Sequence, residues 1–481
     1  MDELAAVLEG IWPRLSLAIV IAVALAAAGH AVLYRRDSRS ATAWVLLVLL
    51  VPFVGAVLYA GFGVNRVRRR ARALGLKHTH DSDLAARWRV EPAKGGTTTS
   101  LGRLSRLLDT VSHFPILGGN RVDLLADGDE TYGAMLRAID EARRSVSFSS
   151  YIFDADRAGR RFVEALGRAA ARGVAVRVLV DGIGVRYSRP WITTLLDGAR
   201  VPAALFRPKR FPFALPFVNL RNHRKILVAD GRIGFAGGMN VREGTLRSLS
   251  PRHAIRDVHA RFEGPVVSQL QEAIADDWVF ATGETLSGDA WFPDPVEAGD
   301  VVARAITSGP DEDFETIRFT LLGALSVARR RVRIVTPYFL PDASLVTALN
   351  VAAMQGVEIE IVLPERSNLP FVQWAIRATI WQVLERGCRV VLSPPPFDHS
   401  KLMVVDGEWT LVGSANWDPR SLRLNFEFDV EIHGRATAEA ADRLIDERTA
   451  RSRPLTLEEV DSRPIPVRLR DGVARLFSPF L

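Results

Sequence analysis

HRKILVADG, residues 223–231, and HSKLMVVDG, residues 399–407, share the pattern His-x-Lys-x-x-x-x-Asp at an offset of 176 (399 minus 223). Period-two alternation puts His223, Lys225 and Leu227 on one face of a strand, and Arg224, Ile226 and Val228 on the other. Asp230-Gly231 is a hairpin turn signal, and GRIGFAGG supplies the return strand. In the second copy His399, Lys401 and Met403 share a face, Asp406-Gly407 turns, and EWTLVGS returns. Each return strand ends in small residues and an asparagine, Gly237-Gly238-Met239-Asn240 and Gly413-Ser414-Ala415-Asn416. Small residues there let a ligand approach the backbone. The chain holds five lysines against 57 arginines, and two of the five stand in this motif. Composition predicts about 0.005 chance matches, so two in corresponding places are not chance.

The motifs close a larger repeat. ARRSVSFSSYIF (Ala142–Phe153) matches ARRRVRIVTPYF (Ala328–Phe339), and GVAVRVLVD from Gly173 matches GVEIEIVLP from Gly356. Helical stretches separate these β-branched runs, so a unit of about 180 residues is duplicated, each copy alternating strands and helices. The predicted fold class is α/β, with copies at 118–300 and 301–455. A tail at 456–481 mixes Arg with Leu, Val and Phe, a composition that suits the membrane interface or a partner helix.

The 481 residues exceed one ordinary domain. A net charge of +7 fits an anionic lipid surface or a nucleic acid. With the single cysteine Cys388, no internal disulfide is possible. At the amino terminus, Leu15–Leu33 and Ala41–Phe62 are each long enough to cross a bilayer, predicting a transmembrane hairpin over 1–64. Pro52 and Gly55 are tolerable inside a membrane helix, and Tyr34, Trp44 and Tyr59 stand near the expected interfaces. A cleaved signal peptide is the weaker alternative, because no positive charge precedes Arg14. The excess of arginine at Arg14 and Arg66–Arg72 over the connecting loop predicts a cytoplasmic catalytic part. A basic linker is expected over 65–117. The basic, apolar RPKRFPFALPF (Arg207–Phe217) reads as a membrane-facing lip before the first motif.

Two histidines and two lysines on one surface suit a phosphodiester. The candidate catalytic set is His223, Lys225, Asp230, His399, Lys401 and Asp406. The lysines, with Asn240 and Asn416, would hold the non-bridging oxygens. One imidazole attacks phosphorus, and the other protonates the leaving oxygen and then deprotonates the acceptor. Asp230 and Asp406, at the turns, support the fold by local bonds. No metal or other cofactor is expected, since no cluster has ligand spacing.

The double motif with its Gly-(Gly/Ser)-x-Asn tail resembles the phospholipase D superfamily. NLRNHRK, GFAGGMN, RDVHARFEGP, DDW, TPYFLPD, GSANWDPRSLRLNFE and LFSPFL are similar to the bacterial cardiolipin synthases over nearly the whole chain. VREG after GGMN and the stretch LPERSN depart from that family's commoner patterns. The resemblance implies tandem phospholipase D-like repeats in a pseudo-twofold unit, with both motifs in one active site. It implies a phosphohistidine on His223 with His399 as general acid and base, an order that the residues alone leave open. It also implies a carboxylate orienting each histidine, Asp257 for His223 and Glu427 for His399. The implied reaction joins two phosphatidylglycerol molecules, giving cardiolipin and glycerol. The implied place is the bacterial inner membrane, as a multi-pass protein among anionic lipids with no nucleic-acid partner. The motifs equally fit a phospholipase D that uses water and makes phosphatidic acid, and less well a membrane-tethered nuclease. A non-catalytic lipid-binding scaffold would not need intact His/Lys pairs in both copies.

Overall fold

A computed structural model describes residues 2–35, 38–63, 100–206, 221–252, 254–309 and 315–478. The chain divides into two units, Met1–Ala73 with Pro208–Asn219, and Leu74–Arg207 with Leu220–Leu481.

In the first unit one helix runs Asp2–Tyr34, and its stretch Trp12–Tyr34 is apolar and long enough to cross a membrane. It is the one such helix among the described residues. The second expected span is divided into helices Ser38–Leu50 and Pro52–Leu58, followed by a π turn at Tyr59–Gly63. Proline explains the break: Pro52 has no N–H to donate to the preceding turn, and Val51 leaves the helical region at φ −132°, ψ 73°. Gly55 lies so close to Leu47 that a Cβ would meet its carbonyl oxygen at 2.5 Å. Ala24, Ala28, Ala31, Val48 and Tyr59 form the small core of this unit. His30, the strongly polar residue of the first run, is half-buried and bonds the Tyr59 hydroxyl through Nδ1 at 2.8 Å, so that nitrogen is satisfied.

The second unit is built on strands β1 (Leu117–Leu125), β2 (Ser145–Ser150), β3 (Ala175–Asp181), β4 (Ala203–Phe206), β5 (Arg221–Asn222), β6 (Ile226–Ala229), β7 (Ile233–Gly237) and β8 (His259–Glu263). The second copy supplies β9 (Val301–Ser308), β10 (Arg331–Val335), β11 (Glu358–Pro364), β12 (Arg389–Ser393), β13 (Leu402–Val405), β14 (Trp409–Gly413), β15 (Asn425–His433) and β16 (Arg453–Leu455). The sheet order is β16-β12-β11-β10-β13-β14-β15-β9-β1-β8-β7-β6-β2-β3-β4. Outward from the antiparallel β9–β1 pair, both halves repeat the same sequence of strand roles, and β16 adds an edge to the second. The duplication read from the sequence is therefore a pseudo-twofold of one continuous sheet.

Both sheet faces are buried. In β6, Leu227 and Ala229 join the first copy's helices, while Ile226 and Val228 face a core shared with β13, β15 and helices Val266–Thr282 and Arg435–Thr449. The shared core explains why the copies form one compact body. Part of the expected linker also folds. Helix Ser100–Val111 places Leu104 and Leu108 in the second copy's core, and its Asp109 pairs with the buried Arg304 at 2.6 Å. Its Leu101, Leu104, Leu108 and Val111 follow a helical period that basic composition obscured. Residues 64–99 and the basic lip Arg207–Phe217 lie outside the described residues.

Candidate active site

The motif strand is shorter than alternation suggests. His223, Arg224 and Lys225 stand just ahead of β6, where the chain leaves β5. That junction sets the site, because β5 pairs not with its own copy but with β15 of the other, Asn425 opposite Arg221 and Phe426 opposite Asn222. The His223 N–H donates to the Phe426 carbonyl at 2.9 Å. The second copy mirrors this: Asp398 bridges Arg256, and the His399 N–H donates to the Arg256 carbonyl at 2.7 Å. Each histidine is thus delivered beside the acid-bearing segment of the opposite repeat.

The carboxylate pairing is consequently crossed. His223 Nδ1 lies 2.9 Å from Glu427 Oε2, and His399 Nδ1 lies 2.9 Å from Asp257 Oδ2. The expected partnership, Asp257 with His223 and Glu427 with His399, is corrected. Order along the chain suggested each acid would serve its own copy; the β5–β15 exchange brings it to the other. Both bonds engage Nδ1, which directs the proton there and turns the Nε2 lone pair outward.

The carboxylates are themselves fixed. Ser414 Oγ donates to Glu427 Oε2 at 2.6 Å, and Asn425 Nδ2 donates to Oε1 at 2.9 Å. Asp257 Oδ1 accepts from the Val258 N–H at 2.9 Å. Gly238, the counterpart of Ser414, leaves room for it: a Cβ there would meet Asp257 Oδ1 at 2.3 Å.

Lys225 Nζ donates to the carbonyl of His223, and Lys401 Nζ to that of His399. Burial pushes Lys225 down to about 7, with Lys401 as a further cause, and pushes Lys401 down to about 8 against the surrounding carboxylates. Burial also pushes His223 down to about 4, the neighbouring lysines adding to it against Glu427, and lowers His399 in the same direction. Burial raises the Glu427 carboxyl, but His223, Lys225 and Ser414 more than offset it and hold it below its ordinary value. Two buried lysines whose ammonium forms burial disfavours suit an anion, whose charge would restore their protons.

Asn240 Oδ1 accepts from the Ile152 N–H at 3.0 Å, which leaves its Nδ2 as the opposite, donating end. Asn416 Nδ2 reaches Ser421 Oγ at 3.2 Å. Asp230 and Asp406 sit at the far end of the hairpin with φ of 54° and 55°. Asp230 accepts the N–H groups of Arg143, Arg144 and Ser145, and Asp406 those of Arg329, Arg330 and Arg331. Each carboxylate supports the fold, as read from the turns, but by bonds that are not local: it ties the hairpin to the start of β2 or β10, so the two belong to the motif's structure and not to its reacting groups.

Sequence reading passed over two tyrosines. The Tyr151 ring lies 4.9 Å from His223, with Lys225 Nζ 5.2 Å from its centre, and the Tyr338 ring lies 6.4 Å from His399. Both stand at the same place in SSYIF and TPYF, so the repeat was a signal for them. The buried pairs beneath the histidines were also missed. Arg224 meets Asp277 of helix Val266–Thr282 at 3.0 Å, and Arg448 of helix Arg435–Thr449 meets Asp398 at 2.6 Å.

The chain matches the family model "Cardiolipin synthase, PLD-like domain" over residues 135–278 and 321–448. Residues 22–63 match "Phospholipase_D-nuclease N-terminal". It is 34% identical to the major cardiolipin synthase of Bacillus subtilis (strain 168), covering 93% of this chain and 95% of the relative. It is 35% identical to cardiolipin synthase A of Pseudomonas fluorescens (strain SBW25), covering 95% of each. The structure is similar to that of a phosphatidylserine synthase from Haemophilus influenzae Rd KW20, with a TM-score of 0.60, 14% identity, and coverage of 79% of this chain and 100% of that one. That likeness concerns the fold alone.

Proposed function

The chain belongs to the cardiolipin synthase family of phospholipase D-like proteins, and from that premise we propose that it joins two phosphatidylglycerol molecules at the paired histidine site. It is a phospholipid-transferring enzyme associated with membranes. The observation that carries the mechanism is the crossed pairing, in which each imidazole is fixed through Nδ1 by the opposite repeat.

In the proposed first step, His223 Nε2 attacks the phosphorus of one phosphatidylglycerol. The bond to the glycerol oxygen breaks, and a proton from His399 Nε2 goes to that oxygen, releasing glycerol. In the second step His399 takes the proton of a hydroxyl on another phosphatidylglycerol. That oxygen attacks phosphorus, the P–N bond breaks, and His223 is restored with cardiolipin as product. Lys225, Lys401, Asn240 and Asn416 hold the non-bridging oxygens. A neutral nucleophile fits the low pKa of His223, about 4. The substrate anion and Asp257 together favour the protonated form of His399 that the first step needs. These side chains perform each proton transfer, so we propose turnover without a metal. We further propose that the amino-terminal unit embeds in the inner membrane, with the helices on either side of Pro52 completing a hairpin and the catalytic part cytoplasmic.

The test is a product assay in phosphatidylglycerol vesicles with a chelator present, lipids identified by mass spectrometry. Cardiolipin with released glycerol, lost in His223→Ala and His399→Ala, is the expected result. Phosphatidic acid as the sole product would replace the lipid acceptor with water and overturn the synthase reading.

A further inference from the structure

Helix Ile465–Leu476 packs on the catalytic unit through a narrow side, with Ala474 in the second copy's core. Its buried residues are Asp471 and Ala474. The Asp471 carboxylate takes Arg463 on one oxygen and Arg470, at 2.7 Å, on the other. The Arg470 guanidinium lies 4.5 Å from the centre of the Trp374 ring, on helix Pro370–Thr379. An amphipathic helix packed on a protein ordinarily turns its apolar stripe inward. Here the stripe points out: Ile465 is 79% exposed, Leu469 68%, Leu476 70% and Phe477 51%. At 3.6 residues per turn these side chains, with Val473, fall within an arc of about 120°. Arg468 and Arg475 border one edge of that arc and Arg470 the other. Arg468 and Arg475 form no ion pair among the described residues. Beside the stripe a cleft of 540 Å³ runs between this helix and the half-exposed Trp381, with Arg463, Arg468 and Arg475 among its lining residues.

We propose that this helix is a docking surface for an anionic lipid bilayer, seating the catalytic unit on the membrane independently of the amino-terminal helix. An apolar arc edged by arginines fits the boundary between acyl chains and acidic headgroups. The buried side at Asp471 and Ala474, with Arg470 over the Trp374 ring, holds the helix in that orientation, so the stripe is presented without a refolding step. The arginine borders favour the bilayer over a second copy of the chain, whose stripe would carry the same charge. The inference does not depend on which acceptor the reaction uses.

The experiment places an environment-sensitive label on the full chain at Leu476→Cys; the native Cys388 is buried. The labelled protein is reconstituted into vesicles of phosphatidylglycerol or of phosphatidylcholine, and quenching by aqueous iodide is measured. Docking predicts a blue-shifted label shielded from iodide in phosphatidylglycerol, and a return of quenching in phosphatidylcholine or when Arg468→Glu and Arg475→Glu are combined. Both arginines are exposed, so the double variant keeps its melting temperature. Equal quenching in both lipids would overturn the proposal. Shielding that is the same in both lipids and grows with the protein-to-lipid ratio would also overturn it, in favour of a second copy.

Discussion

In the first repeat the segment bearing the histidine carries the cation, Arg224, and the supporting helix carries the anion, Asp277. In the second repeat the signs are exchanged: Asp398 precedes the histidine, and Arg448 comes from the helix. Around each pair the backbone geometry is the same. Asn222 Oδ1 accepts from the N–H of Arg224 at 3.1 Å, as Asp398 Oδ1 accepts from that of Ser400 at 2.9 Å. What the fold requires beneath each histidine is therefore a neutralised, hydrogen-bonded pair, with either sign on either element. The repeats differ again at the carboxylates, where Glu427 is held by Ser414 and Asn425, while Asp257 is accommodated by the absence of a side chain at Gly238. The more heavily anchored acid serves His223.

The sharpest way to break the symmetry is to remove the histidines one at a time. His223→Ala should lower phosphatidyl transfer by about 10⁴-fold, with no phosphorylated protein trapped from any substrate. His399→Ala should lose as much with phosphatidylglycerol. It should still form the phosphohistidine from a nitrophenyl ester, whose leaving group needs no proton. The reverse pattern in mass spectrometry of the quenched protein would exchange the two roles.

The sign-exchanged pairs come next. Arg224→Met and Arg448→Met should each reduce unfolding free energy by about 3–5 kcal/mol, because each strands a buried carboxylate. Denaturation in detergent micelles measures this, and a marked inequality would show that the pairs are not equivalent.

Crossed pairing is tested by Glu427→Gln and Asp257→Asn, each expected to cost about 10- to 100-fold in kcat. Glu427→Gln should add almost nothing to His223→Ala, while Asp257→Asn should add nothing to His399→Ala. Additivity in these combinations, with coupling inside each repeat instead, would restore the uncrossed arrangement.

The smallest effect is in the pH profile. Lys225 near 7 and Lys401 near 8 should make kcat/KM fall on the alkaline side as the free enzyme loses those protons. Stability of the empty protein should move the other way. Between the folded value of Lys225, about 7, and the ordinary lysine value of 10.5, the unfolded chain binds more protons, so stability rises with pH. Lys225→Met should flatten part of that rise.

Much of this molecule was legible in its residues because chemistry and periodicity are local. Scarce lysines spaced two residues after histidines, twice, pointed to the candidate site that the fold brings together. Matching β-branched runs identified the duplication, and the mostly apolar run Leu15–Leu33 identified a helix long enough to cross a membrane. The division of the second apolar run was foreshadowed by Pro52 yet read as one span, since hydropathy counts residues and not hydrogen bonds. Helix Ser100–Val111 was hidden by its arginines. Tertiary structure alone decided which carboxylate meets which histidine. It also decided that the bonds of Asp230 and Asp406 reach the start of β2 and β10 rather than stay within the turn, and that the last helix turns its apolar side outward. Each of these depends on what lies across a strand pair or helix contact, 204 residues away for His223 and Glu427 and 87 for Asp230 and Arg143. Local patterns fix which face a side chain takes; only the packed chain fixes what stands opposite it.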